Sequence, residues 1–257
     1  MSNSWHNCFT FHTEKYWGCN GSQWLAIANR ETTYFMLTSK HSNSFHLPTS
    51  AYDVVALAAS LGGLKAIGQI LEALPSDFPA AITVVQHIHP WYPSHMAEIL
   101  SRRTPLTVKQ AESGERLQAG TVYIAPPNKH LLVNPDRTLS LSDSERINFV
   151  RPAADVLFES VASSFKERAI AVMLTGKGCD GARGAKAISK MGGMVLAQNE
   201  ATCTSFDMPS FAIDNRSVDL ILPLERIAFA LTTLVMMAEA TANPTNTTQT
   251  GSFIVWL

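Results

Sequence analysis

The sequence predicts an α/β fold: a three-layer, open, mainly parallel sheet with helices on both faces and one antiparallel hairpin attached. Three observations carry this. From Asp53 onward, short apolar runs alternate with segments whose apolar residues recur at helical spacing, the pattern of a sheet covered on both sides. The run Ala169-Ile170-Ala171-Val172-Met173-Leu174 is apolar throughout, as a strand buried on both faces must be. Two strand-like segments, 130–133 and 138–141, flank the turn-forming Asn134-Pro135-Asp136-Arg137.

Residues 1–50 do not read as the start of a domain. Trp5, Phe9, Phe11, Trp17, Trp24 and Phe35 are scattered among polar residues without sustained period, so a poorly ordered extension is expected. Cys8, His12 and Cys19 lack a fourth ligand and a zinc-type spacing, and no metal site is assigned to them. The domain spans 51–240. It opens with the strand Val54-Val55-Ala56-Leu57-Ala58, a turn of small residues at 59–63, and a helix with Leu64, Ile67, Leu71 and Leu74 as its apolar stripe. A second strand, Ala81-Ile82-Thr83-Val84-Val85-Gln86, ends at His87. A helix over 94–103 follows, with Met96, Ile99 and Leu100 inward, then short strands near 107–109 and 121–125. After the hairpin come a helix from Arg151-Pro152 to about 166, the strand 169–174, a helix ending near 191, and strands at 194–197 and 218–222. A helix over 224–239 closes the domain, and a loose Thr/Asn-rich tail occupies 241–257.

Composition narrows the function. A net charge of −1 argues against nucleic acid or an anionic membrane as the main partner. No apolar run approaches the ~20 residues needed to cross a bilayer, and no secretory signal is visible, so a cytoplasmic location is expected. The four cysteines, Cys8, Cys19, Cys179 and Cys203, form no CxxC pair or disulfide framework. Nothing in the sequence reports on oligomeric state.

Ligands of open parallel sheets bind outside the carboxyl ends of the strands. Ser60, His87 and Asp180 all fall at such ends, and they are the ingredients of a nucleophile, its general base and the carboxylate that orients the base. Ser60 sits between strand and helix, beside amides that favour negative charge, in a turn similar to the G-x-S-x-G elbow with Ala58 in place of the first glycine. Each residue also has a plainer role open to it: a cap for Ser60, a core hydrogen bond for His87, a helix N-cap for Asp180. His89, His95 and His130 compete with His87 as the base. Gly176, Gly178 and Gly181 spell G-x-G-x-x-G, with Glu200 about twenty residues on, which leaves dinucleotide binding as an alternative. Against it, Asp180 would place a carboxylate near the pyrophosphate.

Several motifs resemble the catalytic domain of the chemotaxis protein-glutamate methylesterases, the CheB family. They are Ala59-Ser60 with Gly62-Gly63, Val85-Gln86-His87, Gly114-Glu115-Arg116, and Tyr123-Ile124-Ala125-Pro126. Arg151-Pro152 with Asp155-Val156-Leu157-Phe158, Leu174-Thr175-Gly176 with Gly178 and Asp180-Gly181, and the run from Ala197 to Ala201 with Cys203 and Met208-Pro209 complete the set. The resemblance covers roughly 53–235. It implies a serine hydrolase with Ser60 as nucleophile, His87 as base and Asp180 as orienting carboxylate, and no metal or organic cofactor. The implied substrates are glutamate methyl esters, and also glutamines, on the cytoplasmic domain of methyl-accepting chemoreceptors. Backbone amides of Leu61 and Lys177 are the candidate oxyanion donors. Leu61 stands where the family has Thr, and Lys177 where it has Met. The first fifty residues do not hold the family's usual phospho-receiver domain, so control by phosphorylation within the chain is not expected. A non-catalytic receptor-binding member of the family is the remaining alternative.

Overall fold

The structure, a computed structural model, describes residues 15–19, 22–29, 32–35 and 52–242. The chain divides into two units, residues 1–47 with 244–257, and residues 48–243. In the first, three strands pair antiparallel in the order β1 (Lys15–Cys19), β2 (Ser22–Asn29) and β3 (Thr32–Phe35). Their aromatic and small residues do not alternate cleanly enough for the sequence reading to place strands there. The rest of the expected N-terminal extension, and the tail beyond 242, lie outside the described residues.

The second unit begins with β4 (Val54–Ala59), α1 (Gly63–Ala73), β5 (Ala81–Gln86) and α2 (Met96–Ser101). Two strands, β6 (Thr107–Gln110) and β7 (Thr121–Ile124), precede the hairpin of β8 (His130–Val133) and β9 (Leu139–Ser142). Next come α3 (Ala154–Phe165), β10 (Ala169–Met173), α4 (Ala182–Lys190) and β11 (Met194–Gln198). The unit ends with α5 (Asp207–Asp214), β12 (Leu220–Leu222) and α6 (Leu224–Ala242).

Seven strands form one sheet in the order β12-β11-β10-β4-β5-β7-β6, and every pairing within it is parallel. The hairpin is a separate two-stranded antiparallel sheet that packs on α3. β4, β5, β10 and β11 are buried along their whole length, which is why their sequences read as apolar runs rather than alternations. On one side of the sheet α1 packs with α2 and α6; α3, α4 and α5 form the other helical layer. β6, at the sheet edge, keeps exposed and half-buried residues.

The route of the chain fixes where a ligand fits. From β4 it proceeds through β5 to the β6–β7 edge, then returns to β10 on the other flank of β4. The direction of winding therefore reverses beside β4, and the loops there part to leave a crevice at the carboxyl ends of the strands. The loops after β4, β5 and β10 carry Ser60, His87 and Asp180.

Two details depart from the sequence reading. Leu64 and Ile99, expected inward, are 39% and 43% exposed and line a cleft instead. The stretch 207–214, given no element, is the helix α5; Pro209 sits within its first turn, where a proline costs no helical hydrogen bond.

Candidate active site

Ser60 is placed by its main chain. Its N–H donates to Thr175 O at 3.0 Å, tying the end of β4 to the loop after β10. Its carbonyl accepts from Gly63 N at 3.0 Å and from Gln86 Nε2 at 2.7 Å. Gln86 Nε2 also donates to His87 O at 3.0 Å, so one side-chain amide holds the backbone of both the serine and the histidine. Thr175 Oγ1 donates to Leu61 O at 2.9 Å and accepts from Thr204 N and Ser205 N, pinning the same turn from beneath.

Two glycines make this turn sterically accessible. Gly62 has φ +84°, a left-handed conformation that strains a residue with a Cβ. At Gly176, a Cβ would stand 2.7 Å from Ser60 Cβ and 2.9 Å from Ser60 N. The loop after β10 therefore passes directly against the serine, which brings Lys177 to the same place.

The histidine and the aspartate are joined. His87 Nε2 lies 2.7 Å from Asp180 Oδ2. That oxygen also accepts Ala154 N at 2.6 Å, while Oδ1 accepts Asp155 N at 3.1 Å. The carboxylate thus caps the N-terminus of α3 and takes its hydrogen bond from His87 in the same geometry. Because the carboxylate is the acceptor, Nε2 is the nitrogen that carries the hydrogen, and Nδ1 is left as the basic one.

Asp155 returns the favour to α4: its Oδ1 accepts Gly181 N at 3.0 Å and Gly184 N at 2.8 Å. Asp180 therefore caps the helix that carries Asp155, and Asp155 caps the helix that begins just after Asp180, a reciprocal clasp that locks Asp180 in place. Burial pushes the Asp155 carboxyl above the ordinary carboxylate range, and the charge of Asp180 adds to this; the Gly184 bond and Arg183 pull the other way. A raised native value means the folded state holds its proton to higher pH than the unfolded chain. Stability should therefore fall as pH rises from the ordinary value of 3.8 through the native one, then level off. Asp155→Asn removes this titration and keeps an acceptor for Gly181 and Gly184. Denaturant unfolding at a series of pH values should show wild type losing stability relative to Asp155→Asn across that window. Asp155→Ala, lacking the cap, should be about 2 kcal/mol less stable than wild type. A wild-type advantage that grows with pH would contradict the assignment.

Of the competing histidines, His130 is taken up by the structure, while His89 and His95 line the same cleft as His87. His130 is buried, with Nδ1 accepting Ala153 N at 3.1 Å and Nε2 bonded to Glu145 O at 3.0 Å, so both nitrogens are committed to structure. His95 contacts Glu98 and His89 packs at a tilt against Tyr92, whereas His87 is the histidine bonded to Asp180. The G-x-G-x-x-G segment is no phosphate cradle either. The amides of Gly181 and Gly184, which a pyrophosphate would need, are already donated to the Asp155 carboxylate.

Ser60, Leu61, His87 and Lys177 line one cleft of about 1050 Å³. Among the described residues, neither Leu61 N nor Lys177 N donates to another protein group, which suits both to the oxyanion role the sequence reading gives them. No group of acidic, histidine or cysteine residues among those described is arranged to hold a metal ion. Gln86, Thr175 and Asp155 carry no role that their sequence positions reveal. All three stood within quoted motifs, and their work lies in contacts between distant segments.

The family model for CheB methylesterase matches residues 55–231. The chain belongs to the CheB methylesterase family. It is similar to a relative from Leptospira interrogans provisionally named as a protein-glutamate methylesterase/protein-glutamine glutaminase, 41% identical over 177 residues, 69% of this chain and 92% of that protein. It is also similar to the protein-glutamate methylesterase FrzG of Myxococcus xanthus, 44% identical over 184 residues; the match spans 72% of this chain and 55% of FrzG. Among solved structures, the CheB methylesterase catalytic domain of Thermotoga maritima superposes with a TM-score of 0.69 at 39% identity, covering 71% of this chain and 98% of that one. The CheB fold accounts for both the parallel sheet and the attached hairpin. Among the described residues no helix is long and apolar enough to cross a membrane.

Proposed function

We propose that the protein is a serine hydrolase that demethylates γ-glutamyl methyl esters, and deamidates glutamines, on the cytoplasmic domain of methyl-accepting chemoreceptors. The observation that carries this reading is the 2.7 Å bond from His87 Nε2 to a clasped Asp180, at the rim of a cleft that Ser60 also lines. Family membership supplies the ester as substrate class. The expected site of action is the cytoplasm.

In this mechanism His87 Nδ1 takes the Ser60 proton as Oγ attacks the ester carbonyl. Asp180 holds the ring and stabilises its cationic form. Charge gathers on the former carbonyl oxygen, where the amides of Leu61 and Lys177 contribute roughly 3 kcal/mol each. The tetrahedral adduct collapses, the C–O bond to the methoxy group breaks, and His87 returns the proton to release methanol. Water then attacks the acyl-serine with His87 again as base, which frees the glutamate carboxylate and restores Ser60. With a glutamine substrate the leaving group is ammonia. The reading is tested by incubating the protein with a methylated receptor fragment and measuring methanol. Stoichiometric release supports it, and none with a substrate that another methylesterase cleaves would overturn it.

A further inference from the structure

The charge around the cleft is one-sided. Lys65, Arg103 and Lys177 line it, and no Asp or Glu does. Arg103 is paired with Glu72 at 2.8 Å. Neither Lys65 nor Lys177 makes an ion pair with any described residue. Glu98, on the neighbouring helix α2, is taken up by Arg102 and His95. The Asp180 carboxylate is 2% exposed, behind His87, and so is screened from the cleft. The N-terminus of α1 also opens onto the cleft with no acidic residue in its first turn. The chain as a whole carries a net charge of −1, so this local positive field is not a by-product of composition.

Lys177 is the best placed of these cations. It follows Gly176, the residue in direct contact with the serine, and it is exposed where it lines the cleft. A cation without a partner at the mouth of a reactive site attracts substrates bearing opposite charge and repels those bearing its own. Building on the esterase reading above, we infer that Lys177 makes this site selective for esters embedded in acidic segments, with a substrate carboxylate near the scissile group pairing with its ammonium. The ester itself is neutral, so the selected charge belongs to neighbouring side chains. Leu61, Leu64 and Ile99 supply apolar contact for the backbone that carries them.

The test uses the full chain and two synthetic peptides of equal length. Each holds one glutamate γ-methyl ester, flanked by Glu in one and by Gln in the other. At low salt the ratio of kcat/KM values, acidic over neutral, should be about fivefold, and it should shrink towards one as salt is raised to about 0.5 M. Lys177→Met should bring the ratio close to one at low salt whatever its absolute rate, and Lys177→Arg should keep it raised. A low-salt wild-type ratio of one or below overturns the inference, as does a ratio that salt or Lys177→Met leaves intact. If both peptides are cleaved without discrimination, only the selectivity falls. If neither is cleaved, the esterase reading fails and takes the selectivity with it.

Discussion

Replacing Ser60 by alanine is expected to remove methanol release almost completely, by roughly 10⁶-fold in kcat on the scale seen for hydrolase nucleophiles. Folding should survive. Every hydrogen bond recorded for Ser60 is made by its main chain, through its N–H to Thr175 and its carbonyl to Gly63 and Gln86. Alanine keeps all of them, so denaturant unfolding should shift by no more than about 0.5 kcal/mol. That separation matters, because it distinguishes a lost nucleophile from a lost fold. Ser94 also lines the cleft, and retention of activity in Ser60→Ala would point to a different nucleophile.

Asp180→Asn should combine a catalytic loss of about 10⁴-fold, as in other triads, with a measurable loss of stability. The reason is visible in its three donors. Oδ2 accepts both His87 Nε2 and Ala154 N, and Oδ1 accepts Asp155 N. An asparagine has only one acceptor oxygen, so either orientation turns an amide NH₂ towards a backbone N–H. One buried donor then goes unpaired, at a cost of about 1–3 kcal/mol. If the NH₂ faces His87, the ring must accept at Nε2 and carry its hydrogen at Nδ1, the wrong tautomer to receive a proton from serine. Methanol kinetics and denaturant unfolding measure the two effects separately. Full activity in Asp180→Asn would remove the aspartate from the proposed relay.

The fold was largely legible, for a physical reason. Strands buried on both faces, such as 54–59 and 169–173, must be apolar throughout, and the helices between them must be amphipathic. The winding reversal beside β4 could not be read from periodicity; what could be read is that Ser60, His87 and Asp180 follow strands, and their loops lie after β4, β5 and β10. What the sequence concealed were contacts that depend on tertiary placement. Asp155 looks like any acidic residue in the first turn of a helix, yet its side chain caps a different one. Gln86 reads as the polar end of a strand, yet it ties together the backbones of the two residues on which turnover would depend. Leu64 and Ile99 obey the helical period, which cannot tell a core-facing side chain from one facing a cleft. The stretch around Pro209 shows no periodic run long enough to mark an element, and it forms the short helix α5.

The proposed relay from Asp180 through His87 to Ser60 is tested most directly by a fluorophosphonate, which reacts only with an activated hydroxyl. Intact-mass and peptide mapping should find a single adduct on Ser60 in the wild-type protein and none in His87→Ala. An adduct on another residue, or undiminished labelling of Ser60 once His87 is gone, would contradict the account.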